Sequence, residues 1–139
     1  MKNTFLLDFQ QGLPSGTAQH KGERIMYKNG KPFIHHYRKD NVQTARTVFI
    51  YMLKAHRPSV PSEKPIRLEV YFYFSIKDTK KQNTWKTTRP DVDGYLKEFL
   101  DAMQEAGFFK DDSQVVDIRI QKRYAEKAQI LVRWEELEE

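Results

Sequence analysis

From Arg67 to Ser75 apolar and polar positions alternate, with Leu68, Val70, Phe72 and Phe74 on one side and Glu69, Tyr71 and Tyr73 on the other. A period of two sends successive side chains to opposite faces, so this stretch is predicted to be a strand with one buried face. Val115–Tyr124 alternates in the same way, and Gln129–Trp134 and Thr4–Phe9 read as further strands. Arg24–Lys28 and Phe33–His36 flank Asn29-Gly30-Lys31-Pro32. Asn-Gly suits the positive backbone angles of a tight turn, so a β-hairpin is expected there. Elsewhere the period changes. Val42, Ala45, Val48, Phe49 and Met52 recur at helical spacing within 41–56, as do Leu96, Phe99, Leu100 and Met103 within 93–106. Pro58, Pro61 and Pro65 separate the first helix from the long strand, and Gly107 is a natural stop for the second.

The order β-ββ-α-β-α-β-β predicts one α/β domain, a mixed sheet with two main helices packed against it. Its expected extent is residues 1–134, followed by an acidic tail at 135–139. At 139 residues, 39% of them hydrophobic, the chain has enough apolar material for one core. It holds no apolar run of about 18 residues and no secretory signal at its start, so a cytoplasmic protein away from membranes is expected. Cysteine is absent, which excludes disulfides and thiolate metal sites.

Charge adds a second layer. The formal charge is +5, and removing the four glutamates of the tail leaves +9. Lys77–Arg89 carries five basic residues, Lys80, Lys81, Lys86 and Arg89 among them, against the single acid Asp78. Such a stretch can follow phosphates or can be a solvated loop. Trp85 lies inside it, placed either to stack on an unpaired base or to pack against the sheet.

The candidate chemistry is acidic. Asp91 and Asp93 flank Val92 at the start of the second helix, and residues two apart face the same side only in extended backbone. Asp91 is therefore expected in the extended approach and Asp93 at or near the cap, with Lys97 one turn beyond. A second pair, Asp111-Asp112, stands in the turn before Val115. Converging carboxylates repel unless a cation lies between them, and magnesium suits a few carboxylates in an open site. Taken singly, each pair reads more simply as a helix cap or turn chemistry.

The ordered segments Arg89-Pro-Asp-Val-Asp-Gly-Tyr-Leu-Lys97, Asp101-Ala-Met and Ala106-Gly-Phe-Phe-Lys-Asp-Asp-Ser-Gln-Val-Val116 resemble the RusA family of Holliday junction resolvases. The resemblance implies a homodimeric, magnesium-dependent endodeoxyribonuclease that resolves four-way DNA junctions by paired nicks in DNA recombination and repair, often in prophage-derived regions. It carries the essential carboxylates onto Asp91, Asp93 and Asp112, with Asp111 beside them as a metal ligand, and the family lysine onto Lys97. It adds Lys122 and Arg123 to the DNA-binding set, and Thr17–Lys21 matches a basic loop through Lys21. Gly94 departs from the family's usual Asn. Two rivals stand beside this reading: a DNA-binding module without catalysis, and a nuclease for other branched DNA or for RNA.

Chain length bears on Asp112. A helix over 93–106 spans about 20 Å at about 1.5 Å per residue, which puts Gly107 far from Asp91. Asp112 reaches Asp91 only if the following stretch runs straight back along the helix with Phe108 and Phe109 anchoring it, or if a second subunit supplies the acid. The second arrangement is the one expected.

Overall fold

The computed structural model describes residues 2–15, 21–28, 31–38 and 40–138, with side chains for those outside 21–44. Strand β1 is Lys2–Asp8, β2 Lys21–Lys28 and β3 Lys31–Arg38; helix α1 is Asp40–Lys54; β4 is Ile66–Ser75; α2 is Val92–Ala106; β5 is Val115–Ala125 and β6 Gln129–Glu136. β2 and β3 pair as a two-stranded antiparallel ribbon from Lys28↔Lys31 outward, as a tight hairpin requires, and residues 29–30 lie outside the described set. The other four strands form a mixed sheet in the order β1-β6-β4-β5. The expected single α/β domain with two main helices is what the chain forms.

β4 buries Ile66, Leu68, Val70 and Phe72 completely, as its alternation requires. α1 and α2 close over that face. Phe49 of α1, Phe72 of β4 and Tyr95 and Phe99 of α2 meet edge to face, with centroids 4.8–5.6 Å apart, a geometry that aligns ring edges with ring faces. Tyr95 also donates to Pro14 O at 2.6 Å, which ties the loop after β1 to α2. β6 continues to Glu136, so Glu135 and Glu136 stand in the sheet, and Ser62 Oγ donates to Glu136 at 2.6 Å. Among the described residues no helix is long and apolar enough to cross a membrane.

Two features position the site. β4 and β5 run parallel, so the chain must cross from one end of the sheet to the other between them, and α2 makes that crossing. The start of α2 therefore lies at the end of the sheet where β4 finishes, and its last turn lies where β5 begins. β5 is an edge strand. It alternates in sequence, yet none of its eleven residues is fully buried.

Candidate active site

Asp91 is the N-cap of α2, extended at φ −67° and ψ 140° after a cis Arg89–Pro90 peptide, and Asp93 lies in the first turn. The helix thus begins at Val92, one residue earlier than expected. The extended backbone expected for Asp91 is present. The Asp91 carboxylate makes no capping hydrogen bond. The simple capping explanation for this residue therefore fails: an exposed acid stands at the positive end of a helix without being spent on the helix.

The approach to Asp91 is built by β5. Lys122 donates from Nζ to Thr88 O at 2.8 Å and to Pro90 O at 2.7 Å. Burial and the nearby Lys86 charge push the Lys122 pKa down, while Asp91 opposes that shift. The ammonium assigned to DNA contact from sequence is thus occupied with the backbone that presents Asp91. The basic loop is laced to the same strand: Asn83 N donates to Tyr124 O, Tyr124 N to Thr84 O (both 2.9 Å), and Lys86 N to Lys122 O at 3.2 Å. Lys86 Nζ donates to Thr88 Oγ1 at 2.6 Å and sits about equally over the Phe74 and Tyr124 rings. Trp85 is 57% exposed, and the Arg123 guanidinium lies 3.8 Å from its ring centre. Trp85 meets the edge of the sheet, bridged to Arg123 of β5 and lying under its guanidinium, but it is not buried there. Lys80, Lys81 and Arg89 are exposed; the side chain of Lys21 and the Thr17–His20 segment lie outside the described set.

The second acidic pair divides its labour. Asp111 caps the single 3-10 turn Asp112–Gln114, accepting from Ser113 N at 2.9 Å, while the Gln114 side chain accepts from Asp111 N. The hydrogen bonds from Ser113 hold the Asp111 pKa below its ordinary value. Asp112 is different. Partial burial raises its pKa, the charges of Asp101 and Asp111 raise it further, and only Lys97 acts against them. Its backbone N–H donates to Gln104 Oε1 at 2.9 Å. Phe108 and Phe109 are buried as expected, but the stretch after Gly107 stays by the last turns of α2 and does not run back to Asp91.

Lys97 stands between the two ends, 3.8 Å from Asp101 on the next turn. Asp101 also accepts from Arg46 Nη2 at 3.1 Å, and Arg46 Nε donates to Glu98 at 2.5 Å. Glu98 is completely buried, and its second oxygen has no partner. Arg46 and Glu98 escaped the sequence reading because they lie 52 residues apart on different helices. The one sequence signal was Glu98 itself, a charge one place from the apolar stripe of α2.

Among the described residues no three carboxylate or imidazole groups stand close enough to hold a metal together. Magnesium bound to a nucleic acid needs less, one or two carboxylates with water and phosphate oxygens completing the shell. Asp91 and Asp93 fit that demand in chemistry. A cleft of about 950 Å³ between Asp8–Gly12, Ser75–Lys77 and Glu126–Ala128 contains none of these acids.

A small α/β domain with exposed acids at a helix start, beside a basic loop, is suited to cation-assisted chemistry on a phosphate polyanion. The chain belongs to the endodeoxyribonuclease RusA family, whose model matches residues 12–135. It is 32% identical over 128 residues to the crossover junction endodeoxyribonuclease rusA of Lactococcus phage r1t, covering 91% of this chain and 93% of the relative. It is also 36% identical over 88 residues to the uncharacterized protein YqaN of Bacillus subtilis (strain 168), covering 55% of this chain and 61% of that one.

Proposed function

We propose that the protein is a magnesium-dependent endodeoxyribonuclease that resolves four-way DNA junctions by paired nicks, acting as a homodimer in recombination and repair in the cytoplasm. The observation that carries this reading is the Asp91 carboxylate: it holds the N-cap position of α2 without capping it. A charge kept out of the helix's own hydrogen bonds is available to an external cation. The likeness to a phage crossover junction endodeoxyribonuclease over nearly the whole of both chains supports the substrate class.

Asp91 and Asp93, joined by Asp112 from a second copy of the chain, would hold the magnesium, which when bound activates water and neutralises charge on a phosphodiester oxygen. The protein's own groups prepare that chemistry. Lys122 fixes the backbone ahead of Asp91. Lys97, held by Asp101, brings a positive charge to the acids and to the negative charge that develops on a phosphate. Asp111 keeps the turn that carries Asp112 in shape. Lys80, Lys81 and Arg89 offer exposed cations to the DNA backbone, with Lys21 and Arg123 completing the DNA-binding set.

The exposed Trp85 favours a second substrate class on the same chemistry, other branched DNA with an unpaired base to stack. Labelled four-way, flap and linear DNA, each incubated with and without magnesium, separates the readings. The four-way junction is expected to be nicked in both strands, only with magnesium. Cutting of linear DNA at the same rate would refute the junction reading, and no cutting of any substrate would refute the nuclease.

A further inference from the structure

We propose that Lys86, Thr88 and Tyr124 form a seat for one backbone phosphate of the DNA, a neighbour on the same strand of the phosphate that meets Asp91. The inference rests on the nuclease reading above and names a contact that aligns the strand for it.

The cluster stands on the helix side of the sheet edge. Trp85 pairs with Arg123 of β5, so its neighbour Lys86 turns to the other face, toward Phe74 and Tyr124. There Lys86 Nζ donates to Thr88 Oγ1 at 2.6 Å, and the Thr88 and Tyr124 hydroxyl oxygens lie 3.1 Å apart. The Phe74 and Tyr124 ring centres are 5.0 and 4.9 Å from the ammonium, near enough to hold it through their faces.

Donors outnumber acceptors in this cluster. Thr88 Oγ1 accepts from Lys86, and one hydroxyl hydrogen is used between Thr88 and Tyr124, whichever gives it. The other hydroxyl hydrogen and the remaining ammonium hydrogens of Lys86 meet no acceptor among the described residues. The charge is also unbalanced. Among the described residues no carboxylate forms an ion pair with Lys81, Lys86 or Lys122. The Thr88 hydrogen bond, and then the charges of Lys86 and Lys81, hold the Tyr124 phenol below its ordinary pKa. Surroundings that favour a phenolate favour a phosphate oxygen for the same reason. An exposed spot with spare donors and surplus positive charge matches the acceptor-only oxygens of a phosphodiester.

Position selects which phosphate. Thr88 is three residues before Asp91, so their Cα atoms are at most about 11 Å apart. Lys122 donates to Thr88 O and to Pro90 O, which fixes the short piece of chain that joins the seat to the acid. One strand advances about 3.4 Å along the axis per phosphate, so the seated phosphate lies within about three nucleotides of the one at Asp91. Holding it there sets which phosphodiester meets the acids.

The test uses the full chain and four-way junctions that carry a single methylphosphonate, an uncharged replacement for one phosphate, at successive positions. Affinity is measured without magnesium, so that binding is read apart from cleavage, and the nick is mapped separately with magnesium. For the wild type, a position within about three nucleotides of the nick is expected to lose affinity about tenfold, the scale of a hydrogen bond to a charged group. Thr88→Val with Tyr124→Phe removes both hydroxyls and keeps the ring and the Thr88 carbonyl, while Lys86→Gln removes the charge. Each variant is expected to bind the unmodified junction about tenfold less tightly and to lose less than about twofold more at that position, with the other positions unchanged. Variants that keep the full loss at every position would overturn the seat and leave these residues a structural brace. A wild-type profile with no loss near the nick would overturn it too. Protein that loses affinity at one position through these residues, yet nicks no junction in magnesium, would keep the seat and sink the nuclease reading.

Discussion

The strongest internal conflict at the residue scale is Glu98, a charge with no exposure whose second oxygen is unpaired. Arg46 offsets it, and the Glu98 hydrogen bond in turn pushes the guanidinium pKa up. Removing one partner of a buried pair costs about 3–5 kcal/mol, whereas replacing both with apolar groups of similar volume is often neutral. Arg46→Ala is therefore expected to lose about that much in a urea melt, and Arg46→Met with Glu98→Leu to recover most of it. Asp112 carries the second conflict. A carboxyl with a raised folded-state pKa destabilises the fold above that pKa, and the penalty vanishes below the unfolded value as pH falls. In metal-free protein Asp112→Asn should raise Tm at pH 7 and leave it unchanged near pH 3. Carbon-detected titration should find Asp112 above, and Asp111 below, the usual carboxylate range; the reverse order would contradict the structure.

Elements made of local pattern were legible in the chain. The alternation of β4 and the stripe of α2 each encode one buried face, and both elements formed within a residue or two of the expected limits. β5 was legible as a strand but not as an edge, since its neighbours come from strand order, which no local period contains. The acids show the same division. Asp91's extended backbone followed from spacing, while its lack of a capping bond and the commitment of Asp111 to Ser113 depend on side-chain geometry. Lys122 is the clearest case: the family resemblance implied DNA contact, and its position makes it a brace for the strand-to-helix connection. Lys122→Met should therefore slow cleavage markedly while barely changing the slope of affinity against salt. Replacing Lys80 and Lys81 with Ala should lower that slope by about 1.8, at about 0.9 for each phosphate no longer neutralised. Equal effects of the two changes on the slope would return Lys122 to the residues that bind DNA directly.

For the whole molecule, the fold explains why a family of small nucleases can keep its acids on one crossover. The β4-α2-β5 connection sends one aspartate pair to each end of a single helix, and Lys97 lies between them. A chain of this size presents acids at the sheet's two ends and its cations on the loop at one of them. The direct test of the nuclease site is the cleavage rate of a labelled four-way junction in magnesium by Asp93→Asn beside the wild type. The wild type should cut, and Asp93→Asn should bind the junction at least as tightly, keep its Tm, and lose cleavage by about two orders of magnitude or more, on the scale of removing a group that stabilises developing charge. Cleavage by Asp93→Asn at the wild-type rate would contradict the assignment of the site.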